Sequence, residues 1–217
     1  MIPIVYNDEI NNIIKKFYLR ECTEVEVADI YYKYKLYSAA TSYYTIAIDS
    51  KLNQIADDFK SYCFCQMAKC YYYQQLDQNW GDWQMDTIHH LCKESIAYNY
   101  TNIKAHMLLT KAYEKLNQVK NAYYEAEFVI NNLYLYDIES EQDIIDMIEF
   151  CKHFFDLAEE HFVIKYEDMF MKIINYLSND EHFTYDMIKD VIARIDKHRG
   201  ILGGEWEQTN IFGKNFY

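Results

Sequence analysis

Glycine and proline are scarce in this chain of 217 residues, which contains five glycines and a single proline, Pro3. Four of the glycines crowd towards the C-terminus: Gly200, Gly203, Gly204 and Gly213. β-Sandwiches and barrels need turn residues every few positions, and Rossmann or P-loop folds need clusters of glycine. The composition therefore excludes these classes and predicts an all-α fold.

Basic residues are also few, since 21 Lys and Arg stand against 34 Asp and Glu, a formal net charge of −13. Nucleic-acid binding depends on cationic contacts to phosphate, and an anionic membrane surface repels an acidic protein. No uncharged apolar run approaches the roughly 18–20 residues that cross a bilayer. The N-terminus carries acidic residues where a targeting signal would be basic. We therefore expect a cytoplasmic protein that binds no nucleic acid and does not insert into a membrane.

The six cysteines form neither a disulfide framework nor a metal motif. A secreted disulfide framework is usually short and dense in cysteine, unlike this chain. Zinc binding would require Cys63 and Cys65 to join His89, His90 and Cys92. One residue between two cysteines is not a zinc-finger spacing, and no second tight pair follows. We expect buried thiols and no metal or other cofactor.

Catalytic motifs are missing as well. The sequence has no nucleotide-binding loop, no nucleophile motif and no HExxH. Residues 137–162 hold nine acidic residues and one lysine, but lack the alternating ligands and central glycine of a calcium loop. That segment either meets a basic surface or keeps the protein in solution. We expect no catalytic residues and no enzymatic activity.

Small residues recur at constant spacing between residues 23 and 136. In two segments a small residue is followed by tyrosine three positions later and by alanine twelve positions later. These are Ala28, Tyr31 and Ala40, and Thr110, Tyr113 and Ala122. A middle segment begins in the same way at Ala68 and Tyr71. Small residues at such positions let two packed helices cross closely.

This pattern resembles the tetratricopeptide repeat, a 34-residue helix–turn–helix with small residues at its eighth, twentieth and twenty-seventh positions. The resemblance implies about three antiparallel helix pairs that bind other proteins; a helical bundle without repeats is the alternative. From Ala40 to Ala68 is 28 residues, six more than in the family, so we expect two longer helices there. From Ala68 to Ile88 is 20, eight more than the family's 12, so we expect an enlarged turn over 75–83.

The sequence divides into four parts. These are an N-terminal helix over 1–22, tetratricopeptide-like repeats over 23–136, further helices over 137–200 and an extended aromatic tail over 201–217. Ser140 and Asp143 predict the start of a helix. Its expected apolar stripe is Ile144, Ile145, Ile148, Cys151, Phe155 and Ala158. We expect the last helix to end at Gly200, a favourable C-cap.

Segment 103–116 is the part most similar to co-chaperone modules of the immunophilin and ubiquitin-ligase types. That resemblance implies a groove in which five polar residues hold the C-terminal carboxylate of a chaperone. By position they fall on Val25, Asp29, Gln66, Lys104 and Leu108. Only Lys104 matches the family's residue, and Asp29 places a negative charge where the ligand carboxylate would lie. We therefore predict that this groove does not bind chaperone tails.

Two features favour association with other proteins. Tyrosine occurs 23 times and suits interfaces because it has a rigid apolar body and a polar tip, although AT-rich codon usage would also raise its number. We expect Tyr31 to face the core and other tyrosines to face outward. The tail either folds back on the helices or docks on a partner. The candidate partner-binding residues are Asp29, Gln66, Lys104, Trp206, Phe212, Phe216 and Tyr217.

These observations predict a non-catalytic adaptor or a structural subunit of a larger assembly, which contacts its partners through the concave face of the repeats and the tail. The alternative is a co-chaperone-like peptide receptor with an altered groove.

Overall fold

The computed structural model describes residues 8–49, 56–78, 83–161 and 166–201. The elements in these ranges are α-helices and one short 3-10 helix, and no strand occurs in them, so the predicted all-α fold is confirmed. In chain order they are α1 (Asp8–Tyr18), α2 (Glu24–Lys33), α3 (Tyr37–Asp49), α4 (Asp57–Gln78), α5 (Trp83–Tyr98), α6 (Ile103–Lys115), α7 (Val119–Asn131), the 3-10 helix (Leu133–Leu135), α8 (Glu141–His161), α9 (Tyr166–Asn179) and α10 (Tyr185–Ile201). Within the ranges described, none of these helices combines the length and the apolar character needed to span a bilayer.

The helices group into two compact units. Unit 1 comprises residues 1–118 and contains α1 to α6; unit 2 comprises residues 119–217 and contains α7 to α10. The tail from residue 202 onward lies outside the described residues.

Side-chain caps start the helices where the sequence indicates. The Thr23 hydroxyl accepts the amide of Glu26 at 3.3 Å, and the Glu26 carboxylate accepts the amide of Thr23 at 2.7 Å, which completes a capping box at α2. At α8 the Ser140 hydroxyl accepts the amide of Asp143 at 3.2 Å and donates to its carboxylate at 2.9 Å. The predicted start of α8 is therefore confirmed.

Three helix ends repeat the same backbone turn, at Arg20 after α1 and at two positions in the repeats. The left-handed residues Lys35 (φ 58°) and Asn117 (φ 56°) each follow the first helix of a pair. The next amide donates back to a tyrosine carbonyl, from Leu36 to Tyr31 at 2.9 Å and from Gln118 to Tyr113 at 2.8 Å. This is the Schellman pattern, in which orphan carbonyls at a helix end are satisfied. Lys35 and Asn117 both stand seven residues after the small residue of their repeat, so the backbone obeys the register that the sequence predicts.

Small side chains occupy the predicted buried positions. Ala28 and Ala40 are fully buried in one cluster with Tyr44, Cys63 and Cys70. The other small residues of the pattern, Ala68, Thr110 and Ala122, are also fully buried. Ala122 belongs to α7 of unit 2; the others show that unit 1 is built of consecutive antiparallel helices with alanine-sized groups inside, in the tetratricopeptide-like manner expected.

Part of the extra length of the second repeat lies in helix α4 and not in a turn. Helix α4 has 22 residues and continues to Gln78, and α5 begins already at Trp83, so most of the segment predicted as an enlarged turn is helical. Helix α3 keeps an ordinary 13 residues, so only one of the two helices expected to be longer is longer. Residues 79–82, which include the single interior glycine, Gly81, lie outside the described residues.

Unit 2 has a core of large apolar side chains. Phe154 is fully buried and stacks on Tyr123 with ring centroids 6.4 Å apart, and Phe155 meets Phe170 at 4.8 Å. These contacts join α8 to α7 and to α9. Tyr136 is also buried, and its hydroxyl donates to the carbonyl of Asp143 at 2.8 Å.

Three sequence predictions need correction. The stripe predicted for α8 is confirmed at Cys151 and Phe155, which are fully buried, and wrong at Ile145, which is 43% exposed; the buried face also includes Met147 and Phe150, and the side chain of Ala158 lies outside the described residues. Helix α10 passes Gly200 and ends at Ile201, since a glycine costs only about 1 kcal/mol inside a helix. Tyr31 is half-buried and packs at the edge of the unit 1 core, where Tyr44 is the fully buried tyrosine.

Candidate interaction surface

Asp29 connects three helices of unit 1. Its carboxylate oxygen Oδ1 accepts the hydroxyl of Tyr44 on α3 at 2.6 Å and the hydroxyl of Tyr62 on α4 at 2.8 Å. Burial raises the pKa of both tyrosines, and the negative charge of Asp29 raises it further. Both hydroxyls therefore stay protonated and donate to the carboxylate. The half-buried Asp29 thus cross-links the first helix pair to the next helix.

Gln66 stands four residues, about one helical turn, after Tyr62 on α4. A hydrogen bond from Gln66 opposes the rise in the pKa of Tyr62, and the Gln66 oxygen Oε1 is buried without a hydrogen-bond partner. The structure therefore brings Asp29 and Gln66 together around Tyr62.

The remaining positions suggested by the family resemblance differ from one another in exposure. Lys104 is half-buried on α6, and Val25 is half-buried against the unit 1 core. Leu108 is buried among the apolar residues of the core. The tail residues Trp206, Phe212, Phe216 and Tyr217 lie outside the described residues.

Four half-buried tyrosines form a continuous row across α2, α3 and α4, which we call the tyrosine ladder: Tyr37, Tyr32, Tyr73 and Tyr72. The rings of Tyr37 and Tyr73 stack at 5.9 Å with an interplanar angle of 22°. Tyr32 meets Tyr37 at 5.8 Å and Tyr73 at 6.3 Å, in both cases edge to face. Tyr72 meets Tyr73 at 5.5 Å. Such offset and edge-to-face pairs are the favourable arrangements of aromatic rings.

A lysine from α6 completes the ladder. The Lys111 ammonium lies 4.8 Å from the centre of the Tyr72 ring, a cation–π contact. The surface therefore runs over α2, α4 and α6, which are the first helices of the three repeats, and includes Tyr37 at the start of α3. The sequence contained a signal for it that we did not use: Tyr32 and Tyr72 each stand four residues after the small residue of their repeat.

The groups of the ladder are suited to binding. Its hydroxyls and its single ammonium donate hydrogen bonds, and its rings provide apolar area. Burial raises the pKa of the nearby thiols Cys63 and Cys70 to about 12, so neither is a thiolate nucleophile at neutral pH. In the part of the chain that the structure describes, no three His, Cys, Asp or Glu side chains are placed to hold a metal ion.

Comparisons with known proteins give structural neighbours only. No protein-family model matches the chain, and no curated protein is significantly similar to it. The tetratricopeptide (TPR) domain of Arabidopsis OM64 is 19% identical, with a TM-score of 0.42 over 60% of this chain and 93% of that domain. A Podosopora anserina putative kinesin light chain with nearly identical TPR-like repeats is 11% identical, with a TM-score of 0.43 over 83% of this chain and 93% of the other. Because these identities and TM-scores are low, the function of this chain is argued from its own residues.

Proposed function

We propose that this chain is a non-catalytic adaptor or structural subunit of a larger cytoplasmic protein complex. It binds a partner protein through the surface of α2, α4 and α6 that carries the tyrosine ladder. The observation that supports this proposal is the ladder itself, a row of four aromatic rings and a cation that is only half-buried. Tyrosine is one of the residue types that dominate protein interfaces.

The contacts within the ladder lower the cost of binding. A flexible side chain loses about 0.5–1.5 kcal/mol of conformational freedom when an interface immobilises it. The rings of Tyr32, Tyr37 and Tyr73 already hold one another in place, so this cost is met when the protein folds. Asp29 and Gln66 belong to the same proposed surface and shape it beside Tyr62.

The proposal keeps the four parts into which the sequence divides. Residues 23–136 supply the repeat surface, 1–22 and 137–200 flank it, and the aromatic tail 201–217 provides a second contact. The six cysteines form no disulfide with one another, which is consistent with a reducing compartment.

Affinity purification of the intact complex with quantitative mass spectrometry tests the role of the ladder. We expect Tyr72→Ala combined with Lys111→Ala to reduce partner recovery by about tenfold or more, the loss of about 1.4 kcal/mol in binding. The matched control is Tyr124→Ala with Lys120→Ala in unit 2, where a lysine lies 5.7 Å from a tyrosine ring in the same way. Equal recovery with both double variants would overturn the proposed surface.

The tail requires a test of its own. A subunit of a stable complex co-purifies with its partners in fixed stoichiometry, and deletion of residues 203–217 is expected to reduce its incorporation. If incorporation is unchanged by the deletion, the tail is not a contact.

The second candidate function is a peptide receptor of the co-chaperone type, favoured by Lys104 at a clamp position of that family. Hydrogen bonds to charged groups contribute roughly 1.5–3 kcal/mol each, so a groove that has lost most of the clamp residues binds carboxylate weakly. Isothermal titration with a C-terminal chaperone peptide is expected to show no micromolar binding. Micromolar binding that Lys104→Ala abolishes would favour the receptor over the adaptor.

A further inference from the structure

Positive charge is concentrated on two helices of the ladder surface. From residue 59 to 76, α4 has two lysines and no acidic residue, and α6 has three lysines and one glutamate. These five lysines and one glutamate carry a formal charge of +4, although unit 1 as a whole, with 14 acidic and 12 basic residues, has a net charge of −2. Unit 2, with 20 acidic and nine basic residues, has a net charge of −11. The end of the ladder on α4 and α6 is therefore a positively charged part of an acidic protein.

The lysines of α6 lie along one face of that helix. Lys111 stands seven residues after Lys104 and four before Lys115, and such spacings bring side chains to the same side of a helix. The Lys111 ammonium is 4.8 Å from the centre of the Tyr72 ring, and Lys115 is exposed. On α4, Lys69 stands three residues before Tyr72. The row of rings thus ends at a row of lysines.

The rings of Tyr32, Tyr37 and Tyr73 form the other end of the ladder, and all three are half-buried. Asp29, one turn before Tyr32 on α2, uses its oxygen Oδ1 to accept two tyrosine hydroxyls. Glu114, the one acidic residue of α6, is half-buried. The hydroxyls and ammonium groups of the ladder can all donate hydrogen bonds. A ligand that complements this surface combines an apolar side chain with negatively charged acceptors.

We propose that the ladder binds an acidic segment of the partner protein that carries one apolar side chain, and this rests on the proposed function. The apolar side chain packs on the rings of Tyr32, Tyr37 and Tyr73. Side-chain carboxylates of the segment pair with Lys111 and Lys115. The apolar anchor and the complementary charge lie at different ends of the ladder, so together they set the position and the direction of the segment.

A protein segment fits this surface better than nucleic acid does. Proteins that bind nucleic acid tightly make roughly six to ten contacts with phosphate. Lys111 and Lys115 offer two such contacts, and a chain with a net charge of −13 repels a polyanion. The side-chain carboxylates of the segment carry the recognition, so no free C-terminal carboxylate is required at Lys104.

Fluorescence anisotropy with the full chain tests this proposal. The probe is a labelled peptide of about 12 residues, roughly 40 Å when extended, in which glutamate and serine surround a single leucine. Its C-terminus is amidated, and a second peptide has glutamine in place of every glutamate. We expect the glutamate peptide to bind at least about tenfold more tightly, with a preference that falls as salt rises. No preference between the peptides, or equally tight binding of an oligothymidylate of the same length, would overturn the proposal.

Paired variants locate the site. Lys111→Gln with Lys115→Gln is expected to remove the preference for the glutamate peptide, because both cations that meet its carboxylates are lost. The matched control is Lys93→Gln with Lys15→Gln, since the Lys93 ammonium lies 5.9 Å from the Tyr113 ring and Lys15 is exposed; we expect a change below about threefold. Equal losses for the two pairs would show that the peptide senses only the total charge, which contradicts the proposed site. Because Lys115 is exposed, Lys115→Gln alone is expected to leave the circular dichroism spectrum unchanged and still to reduce the preference at least about threefold.

Recovery of the partner by affinity purification separates this proposal from the proposed function. Tyr72→Ala tests the surface, and the lysine pair tests the chemistry of its occupant. We expect both to reduce recovery about tenfold or more. A recovery that falls with Tyr72→Ala but not with the lysine pair contradicts the acidic occupant and leaves the surface standing. A recovery that falls with neither contradicts both.

Discussion

The two units differ in the side chains that pack their helices together. Unit 1 is nearly neutral and joins its first helices through alanine and cysteine side chains around Tyr44, with polar cross-links at Asp29. Unit 2 is strongly acidic and joins its helices through phenylalanine rings. Small groups permit close approach, which makes each crossing specific and intolerant of added volume. Large rings bury more apolar area per residue, which offsets the self-repulsion of a highly charged surface.

Two buried serines in unit 1 are small, like the alanines, but also form hydrogen bonds between helices. Ser61 on α4 and Ser95 on α5 are buried with their hydroxyl oxygens 3.0 Å apart, and the Asn102 amide donates to both at 3.0 and 3.1 Å. Ser95 also donates to the carbonyl of Ser61 at 2.8 Å. Because each buried hydroxyl has partners, the network adds orientation without leaving an unsatisfied polar group at this crossing.

Removal of one ring from unit 2 is expected to have the largest effect. We expect Phe154→Ala to cost about 3–5 kcal/mol, because the cavity lies among Tyr123 and Phe155. Hydrogen-exchange mass spectrometry is expected to show the loss of protection mainly in peptides from unit 2. The exposed Ile145→Ala serves as control, with a change within about 0.5 kcal/mol. If both units lose protection equally, the comparison between them fails and the chain unfolds as one block.

Removal of one hydroxyl from unit 1 is expected to have an intermediate effect. Tyr44→Phe leaves the Asp29 carboxylate with one tyrosine donor fewer, at a cost of roughly 1.5–3 kcal/mol. Chemical denaturation monitored by hydrogen exchange in unit 1 measures it, with the exposed Tyr124→Phe as control.

The same hydroxyl predicts a pH dependence. The pKa of Tyr44 is raised in the folded protein, so its contribution to stability is complete below the ordinary tyrosine pKa of about 10 and is lost as the pH rises above that value. Unit 1 of the wild type is therefore expected to lose stability above about pH 10 more steeply than the Tyr44→Phe variant. Parallel alkaline profiles would show that the buried hydroxyl does not set this dependence.

Added volume at a crossing is expected to have the smallest of the three effects. Ala28→Leu places three carbons in a fully buried position, at a cost of about 1–3 kcal/mol. Ala97, which is exposed on α5, provides the matched control, and Ala97→Leu is expected to stay within about 0.5 kcal/mol. Equal midpoints of thermal unfolding for the two variants would mean that the crossing does not require a small residue.

The sequence predicted those features that depend on fixed spacing. The four alanines of the pattern are all buried: Ala28, Ala40, Ala68 and Ala122. They were predictable because helix geometry alone fixes which positions lie where two packed helices cross. The capping pair at Ser140 was also predictable, since it involves residues only three apart.

Features that depend on competition between local signals were not predictable. The turn predicted over 75–83 began too early, because helix α4 continues to Gln78. On α8 the adjacent Ile144 and Ile145 are both apolar, so periodicity did not determine that Ile145 would be the exposed one. The tyrosine ladder depends on the direction in which Tyr72 and Tyr73 face around helix α4. A run of three adjacent tyrosines in the sequence does not specify that direction.

The buried thiols give the protein its own set of internal probes. Cys63 and Cys70 report on unit 1 and Cys151 on unit 2, and each has a pKa raised to about 12 by burial. A thiol reagent modifies such a group only when the surrounding helices open, because the intact fold excludes the reagent and suppresses the thiolate. The rate at which each cysteine is alkylated in the wild-type chain thus measures how often its own region opens, with no label or substitution introduced.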